Sequence, residues 1–405
     1  MGIHHLFIFN FKSAPLKFFI RGVVFFFPIV FIGAVYEVIL FNSGECRPIS
    51  HIVDHQLENP ELVWRRQVFS QFSETYKFYL LKRARKQIVV TGSSRTLGFS
   101  KILFPNMEDR FINAGRLVTK LGDIESIIKC FEDSTLPKPK VFILGLDPWW
   151  LRGDVPLRSG FQAERMPEDA WSPGAHVSAI TRMIIDGTLP LGFFYEKNND
   201  QTPYCKKPAL GLAAILIGSG FRSDGSTVHE SIYYEFRNNP DYVYKDRETP
   251  PIIDRVRNRT GQFASSSDIC KNKVNFLVRQ LEKIKSLGIE VHIFLPPFSD
   301  EVSKAVENDA ELKKWWDSYW NDLPLLLRKN EFYTFGFKSP NELGLDDRYM
   351  YDGFHPSEVL VGNIMIKWLE NIPKKSLLSG IDIETLKQKL RSPSTLPVGF
   401  GCNDD

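Results

Sequence analysis

Residues 87–95 read QIVVTGSSR: a short apolar, β-branched run, then a glycine, two serines and an arginine. Gln87 to Thr91 has the composition of a parallel strand buried on both faces, where the polar alternation of a half-exposed sheet is lost. Gly92 lets the backbone turn sharply, and Ser94 stands where a helix could begin. A hydroxyl is thereby placed at the carboxyl end of a parallel strand, the end at which open α/β sheets bind ligands. A helix amino terminus there would also stabilise developing negative charge. Taken alone, the pattern more often marks an ordinary helix cap or turn than a nucleophile.

The flanking sequence continues the rhythm. Arg110–Asn113 (RFIN), Lys140–Leu146 (KVFILGL), Glu290–Leu295 (EVHIFL) and Glu331–Phe337 (EFYTFGF) read as further strands. Helical spacing occupies Leu121–Phe131, Lys273–Leu287, Asp300–Trp316 and Ser357–Leu369. Strands alternating with helices predict an α/β fold, a parallel sheet sandwiched by helices. Pro148 to Asn272, about 125 residues, is too long for a loop. It reads as an insertion over one end of the sheet, with a helix near Val177–Asp186 and an apolar run at Ala209–Ile217. No internal repeat or low-complexity segment is visible, and residues 373–405 read as a loosely attached tail.

At the amino end, Val23 to Phe41 reads VVFFFPIVFIGAVYEVILF, about long enough to cross a bilayer as a helix. Pro28 falls in its first turns, and Glu37 lies near its far end, where a carboxylate costs least. Lys12, Lys17 and Arg21 precede the run and only Arg47 follows closely. The positive-inside bias therefore predicts a cytoplasmic tail (residues 1–22), a retained anchor (23–41) and an extracytoplasmic remainder. A cleaved signal peptide is the rival, disfavoured by the length of the run and the lack of a small-x-small cleavage site. Residues 42–86 read as a polar tether with amphipathic character from Leu62 to Leu81. Its basic end, Lys82–Lys86, reads as a solvated helix end.

Composition narrows the function. A formal net charge of +3 over 405 residues, without a basic stripe, gives no reason to expect a nucleic-acid partner. The five cysteines, at 46, 130, 205, 270 and 402, include no C-x-x-C pair and no zinc-like spacing, so no metal is expected. Their odd, scattered placement argues against a disulfide framework, although one or two bridges remain open outside the cytoplasm. His176, His229 and His292 have no partners at suggestive spacing and read as structural.

Tyr351-Asp352-Gly353-Phe354-His355-Pro356 supplies the second chemical signal. A neutral imidazole is the usual general base for a serine hydroxyl, and it needs an anion to fix its tautomer. Asp352 lies three residues before His355 in a glycine-containing turn, and Pro356 suits the first turn of the following helix. A local turn without chemistry is the alternative.

Together these blocks resemble the SGNH (GDSL-like) hydrolase family. Gly92-Ser93-Ser94 stands where that family has Gly-Asp-Ser, and Asp352-Gly353-Phe354-His355 matches its last block. Asn113-Ala114-Gly115 matches the block whose glycine amide helps hold the oxyanion. The resemblance implies a flavodoxin-like sheet over residues 87–372, a Ser94–His355–Asp352 triad, and an oxyanion hole built from the amides of Ser94 and Gly115. The family commonly has Gly-x-Asn-Asp after its third strand, whereas this chain has Gly145-Leu146-Asp147-Pro148. An ionised Asp147 cannot donate to an oxyanion, so it is expected protonated or turned elsewhere, for instance toward Arg95 or the insertion. The Phe221–Ser226 stretch (FRSDGS) and Leu295–Ser299 (LPPFS) are also similar to extracytoplasmic members, although Asp224-Gly225 equally reads as a simple turn.

A one-helix anchor ahead of such a domain resembles the alginate O-acetylation proteins and the D-alanyl transfer protein of teichoic acid synthesis. The resemblance covers about 200 of the 405 residues. It implies transfer of an acyl group, acetyl in the first instance, to or from a cell-surface glycan, with a membrane-bound O-acyltransferase as partner and no cofactor. A plain esterase shares the same chemistry. An inactive glycan-binding or scaffold subunit is the reading from another class, and Asp147 keeps it open.

Overall fold

A computed structural model describes residues 14–67, 73–157, 161, 173–189, 200–239, 249–264 and 268–400. Nine strands are described: β1 (Val63–Trp64), β2 (Ile88–Gly92), β3 (Phe111–Gly115), β4 (Val141–Gly145), β5 (Ala209–Leu210), β6 (Ser219–Phe221), β7 (Thr227–His229), β8 (Glu290–Leu295) and β9 (Tyr333–Gly336). Five of them form an all-parallel sheet in the order β3-β2-β4-β8-β9. Numbered within that sheet the order is 2-1-3-4-5, a common doubly wound topology. The order reverses between β2 and β4, so a crevice opens beyond their carboxyl ends.

The apolar runs are explained by burial on both faces. Val89, Phe142, Leu144 and Ile293 join the core beneath helices Asp123–Glu132 and Lys271–Ser286. Their neighbours Ile88, Val90, Val141, Ile143 and Phe294 point the other way, under the helix Glu358–Leu369. The helix expected over Asp300–Trp316 is two helices, Asp300–Asn308 and Ala310–Asp317. Asp309 divides them, because its carboxylate caps the second by accepting from the amides of Glu311 and Leu312.

A second, mixed sheet has the order β5-β1-β6-β7 and joins two distant parts of the chain. Residues 42–86 are consequently not a tether. Helices Ile49–Glu58 and Ser73–Ala84 pack on each other and contribute Ile49, Ile52, Tyr76, Phe78, Leu80 and Leu81 to the main core. Tyr76 stacks on Phe221 of β6 with ring centroids 5.2 Å apart. The same segment closes the exposed edge of β3. Lys77, fully buried, donates to the carbonyls of Asn113 (3.1 Å) and Gly225, and the Asn113 amide donates to Asp224 O at 2.7 Å. Edge strands left bare invite pairing with other chains, so this cover has a clear physical use. The FRSDGS stretch is the β6–β7 turn that supplies it. Gly225 has φ +81, and a Cβ there would meet Asn113 O at 2.1 Å.

Residues after 373 are not a loose tail either. A helix, Ile383–Arg391, packs against Glu358–Leu369, and Leu378, Leu386 and Phe400 are buried in the core. Residues 401–405 lie outside the described ones.

The amino-terminal helix runs from Ala14 to Asn42, and Leu16–Asn42 is long and apolar enough to span a membrane. Most of its side chains face outward, Phe18, Phe25 and Phe27 among them. Its carboxyl end is docked. Leu40 is buried with Val63 and Leu212, the Gly211 amide donates to Ser43 O, and the Leu212 amide donates to the buried Glu45 carboxylate at 2.9 Å.

This packing sets an expectation for truncation. A chain beginning at residue 87, the boundary that a tether would suggest, should lose cooperative thermal unfolding, whereas one beginning at residue 43 should retain it. Equal cooperative melts of the two by circular dichroism would refute the packing role of 43–86.

Candidate active site

The turn after β2 is built from tight backbone contacts. Gly92 has φ +147, and a Cβ there would meet Thr96 Cγ2 at 2.7 Å and Gly145 O at 2.9 Å. The Thr96 side chain likewise fills the places where Cβ atoms of Gly115 and Gly145 would sit, at 2.7 and 2.2 Å. Glycines ending three adjacent strands thus leave a hollow, and Thr96 keys into it. Residues Ser94–Thr96 form a 3-10 turn capped by Ser93, whose hydroxyl accepts from the Arg95 amide. Ser94 is held on top, half-buried, at the topological switch point.

His355 arrives from the other end of the sequence. Ser94 Oγ lies 2.8 Å from His355 Nε2, and His355 Nδ1 lies 2.5 Å from Asp352 Oδ2. The other Asp352 oxygen accepts from the amides of Phe354 and His355 at 2.6 and 2.7 Å, which closes the turn around it. Burial pushes the Asp352 carboxyl up, but the His355 ring and the two amides outweigh it and hold the carboxyl below its ordinary 3.8. Asp352 is therefore ionised at neutral pH and only accepts. The proton of a neutral His355 must then sit on Nδ1, leaving the Nε2 lone pair to face Ser94. Asp352 also fixes the loop, so its two oxygens serve tautomer and backbone together.

Arg95 ties this loop to the Ser94 turn. Its guanidinium is buried and donates to Phe354 O (2.9 Å), Asp147 Oδ1 (3.0 Å), Pro296 O (2.8 Å) and Pro297 O (2.6 Å). It also lies 3.8 Å from the centre of the Phe298 ring. Asp147 thus turns toward Arg95, one of the alternatives that its sequence position left open. Burial pushes the Asp147 carboxyl up, opposed by Arg95 and by the Ser93 hydroxyl. Its Oδ2 is buried without a hydrogen bond of acceptable geometry.

The expected oxyanion donors fare unequally. The Ser94 amide has no partner among the described residues. The Gly115 amide is already committed, donating to Asn113 Oδ1 at 2.7 Å, and its surroundings are closed by Thr96. Asn113 in turn donates to Thr96 O and Phe99 O, so the block Asn113-Ala114-Gly115 braces the turn. In this geometry Gly115 is a structural residue rather than a free donor.

Sequence reasoning missed several neighbours. A cavity of about 250 Å³ beside Ser94 and His355 is lined by Arg65, Arg116, His229 and Tyr351, among others. Another of about 280 Å³ on the triad includes Trp149, Ile252, Arg255 and Gln262. Arg65 follows the two-residue β1 and His229 ends β7, elements with no usable periodic signal. His229 was expected to be structural, yet its ring lies 4.8 Å from Tyr351 and its Nδ1 is 3.1 Å from Ser219 Oγ. His292 does fit a structural role, buried at 2.6 Å from Glu290. The side chain of His176 lies outside the described residues.

Two outcomes follow from these contacts. Asp147→Asn leaves the buried Arg95 without its counter-charge and is expected to cost about 3 kcal/mol in denaturant unfolding; unchanged stability would refute the pairing role. Burial, then Arg65, His355 and Arg222, push His229 from its ordinary 6.5 down to about 3, with Asp352 opposing. The unfolded imidazole binds a proton that the folded one excludes, so stability present above pH 6.5 is lost as pH falls toward about 3. His229→Gln should flatten that part of the stability–pH curve, and an unaltered slope would count against it.

No protein-family model, curated protein or solved structure matches this chain.

Proposed function

We propose that the chain is a membrane-anchored serine acyltransferase or esterase, acting on acyl groups, acetyl in the first instance, of a cell-surface polysaccharide. One observation carries this reading: the continuous hydrogen-bonded chain from Ser94 Oγ through His355 to the ionised Asp352. Serine, imidazole and carboxylate in that order are the parts that nucleophilic acyl transfer needs. The SGNH-like family assignment rests on the same blocks.

In the proposed cycle Ser94 Oγ attacks the acyl carbonyl carbon while His355 Nε2 takes its proton. The tetrahedral intermediate collapses, the carbon–oxygen bond to the alcohol breaks, and the departing alkoxide receives that proton from Nε2. A glycan hydroxyl, or water in the esterase version, then attacks the acyl-Ser94 carbonyl as His355 Nε2 takes its proton; the bond to Ser94 Oγ breaks, and Nε2 returns the proton to the serine oxygen. Asp352 stabilises the imidazolium formed at each stage. The amide of Ser94 is the available oxyanion donor, and no cofactor is required.

Placement supports the setting. The docked end of the amino-terminal helix packs on the second sheet, which carries His229 in β7 and places Arg65 just after β1, both beside the site. An acyl group delivered at the membrane by a membrane-bound O-acyltransferase would therefore emerge close to Ser94. A cytoplasmic amino terminus and an extracytoplasmic catalytic domain suit the basic residues ahead of the span. Cys205 is disulfide-bonded, which fits an oxidising compartment.

The committed Gly115 amide favours a second reading, an inactive glycan-binding or scaffold subunit of a polysaccharide-acylating system. A fluorophosphonate probe separates the two. The full chain in detergent should label at Ser94, with labelling abolished in Ser94→Ala and reduced about 10³-fold or more in His355→Ala. Folded protein that shows no Ser94-dependent labelling would sink the enzyme reading. With labelling established, acetyl release with and without a glycan acceptor distinguishes transferase from esterase.

A further inference from the structure

Most side chains of the amino-terminal helix are exposed, but a stripe at Tyr36, Glu37 and Leu40 is covered. Residues at that spacing share one face of a helix. The helix Pro173–Ile185 of the insertion lies against the amino-terminal helix. Its Ile180 and Met183 are buried in the same cluster as Leu40, and Tyr36 and Ile184 pack at the rim of that cluster.

Sequence and geometry together set the level of this contact relative to a bilayer. Arg21 is the last charged residue before the long apolar run, and Arg47 is the first basic residue after it. Arg47 Nε donates to Phe41 O at 3.2 Å, and its guanidinium lies 5.6 Å from the centre of the Phe41 ring. Phe41 therefore marks the far boundary of the span. At 1.5 Å per residue, Arg21 to Phe41 covers about 30 Å, the thickness of a hydrocarbon core. By the same rise Tyr36 lies about 7 Å inside the boundary at Phe41. A helix packed on Tyr36 and Leu40 shares that layer, and interfacial helices rest at about this depth. Val38 and Phe41, exposed on the faces that the insertion leaves open, need apolar surroundings at the same level.

The composition of Pro173–Ile185 suits that position. PGAHVSAITRMII contains no carboxylate and one permanent charge, Arg182; the first acid, Asp186, comes just after the helix ends. Its outward side presents Ser178, Thr181, Arg182 and Ile185, the last 80% exposed. Hydroxyls and a guanidinium on a flexible stem can meet lipid phosphates while an adjacent isoleucine enters the acyl chains.

We infer that the helix Pro173–Ile185 is a second membrane-contacting element, lying in the headgroup layer of the leaflet in which the anchor ends. Its partner is the phospholipid itself, with Arg182 toward the phosphates and Ile185 toward the acyl chains. This rests on the reading of the amino-terminal helix as a membrane anchor. A single span leaves the tilt of its domain to one docked end. A second contact in the leaflet fixes that tilt, and with it the height of Ser94 above the membrane.

Photo-crosslinking tests the contact on the purified full-length chain in nanodiscs of phosphatidylethanolamine and phosphatidylglycerol. p-Benzoylphenylalanine would stand in place of Ile185, of Phe27 within the span, or of Leu325. Leu325 is a matched control, 57% exposed on the helix Leu323–Lys329, which packs on β9 at the sheet edge opposite the one that the second sheet covers. Phospholipid adducts, counted by intact mass, should form at position 185 within about threefold of position 27 and about tenfold above position 325. Adducts at 185 no more frequent than at 325, with position 27 labelled, would overturn the inference and leave the anchor in place. No lipid adduct at position 27 would defeat the anchor reading and the inference with it. In intact cells, a protein adduct at 185 in place of the lipid one would assign this face to a membrane-protein partner and overturn the lipid contact. If the chain substituted at Ile185 fails to fold, the same probe in place of Arg182 decides by the same comparison.

Discussion

Arg95 follows Ser94 directly in sequence, yet its guanidinium reaches the ends of two other strands and the loop that carries His355. It donates to Asp147 beyond β4, to Pro296 and Pro297 beyond β8, and to Phe354 O one residue before His355. The Ser94–His355 contact joins residues 261 positions apart in the chain, and this one buried cation bridges the gap between the elements that bear them. A buried ion pair contributes little net stability, because desolvation offsets the Coulomb attraction. Its use here is geometric. Asp147 neutralises Arg95, and Arg95 sets where the His355 loop can sit.

The same economy shapes the ground beneath Ser94. Gly92, Gly115 and Gly145 end three neighbouring strands without side chains, and Thr96 occupies the space they leave. Asn113 then caps the arrangement, accepting from Gly115 and donating to Thr96 O and Phe99 O. A glycine that a family resemblance assigns to the oxyanion hole is here part of a packing lock. Oxyanion stabilisation, if the site acts as proposed, falls on the Ser94 amide and on what the substrate brings into the cavities on either side.

The site also needs chain segments that looked peripheral. Arg65 comes from the stretch between the anchor and the parallel sheet, and His229 comes from the long insertion. Both are delivered by the small mixed sheet β5-β1-β6-β7, in which parallel β1–β5 pairing joins residues about 146 positions apart (Val63 with Ala209). Arg222, in the β6–β7 turn, pairs with Glu358 at the start of the helix that follows His355. The amino-terminal helix, the insertion and the His355 loop are therefore mechanically linked.

The five parallel strands, the helices between them and the apolar span were legible in sequence, because each is a local run whose burial dictates its composition. Ser94, Asp352 and His355 were legible as well, since a glycine turn after a strand and an Asp-x-x-His before a helix are short-range patterns. Asp147 announced itself only as an anomaly. The rest required the tertiary fold. Strands of two or three residues, such as β1, β5, β6 and β7, carry no periodicity, so the second sheet and the arginines it positions could not be read locally. Nor could composition tell a polar tether from a polar layer whose buried face is covered by a distant insertion. Sequence by itself determined the parallel sheet and singled out Ser94, Asp352 and His355, because local hydrophobic burial and backbone turning specify the elements that carry them. Only the tertiary structure decided that Gly115 is spoken for, that Asp147 answers Arg95, and that Arg65 and Arg116 come to lie beside Ser94, because each depends on contacts between segments far apart in the chain.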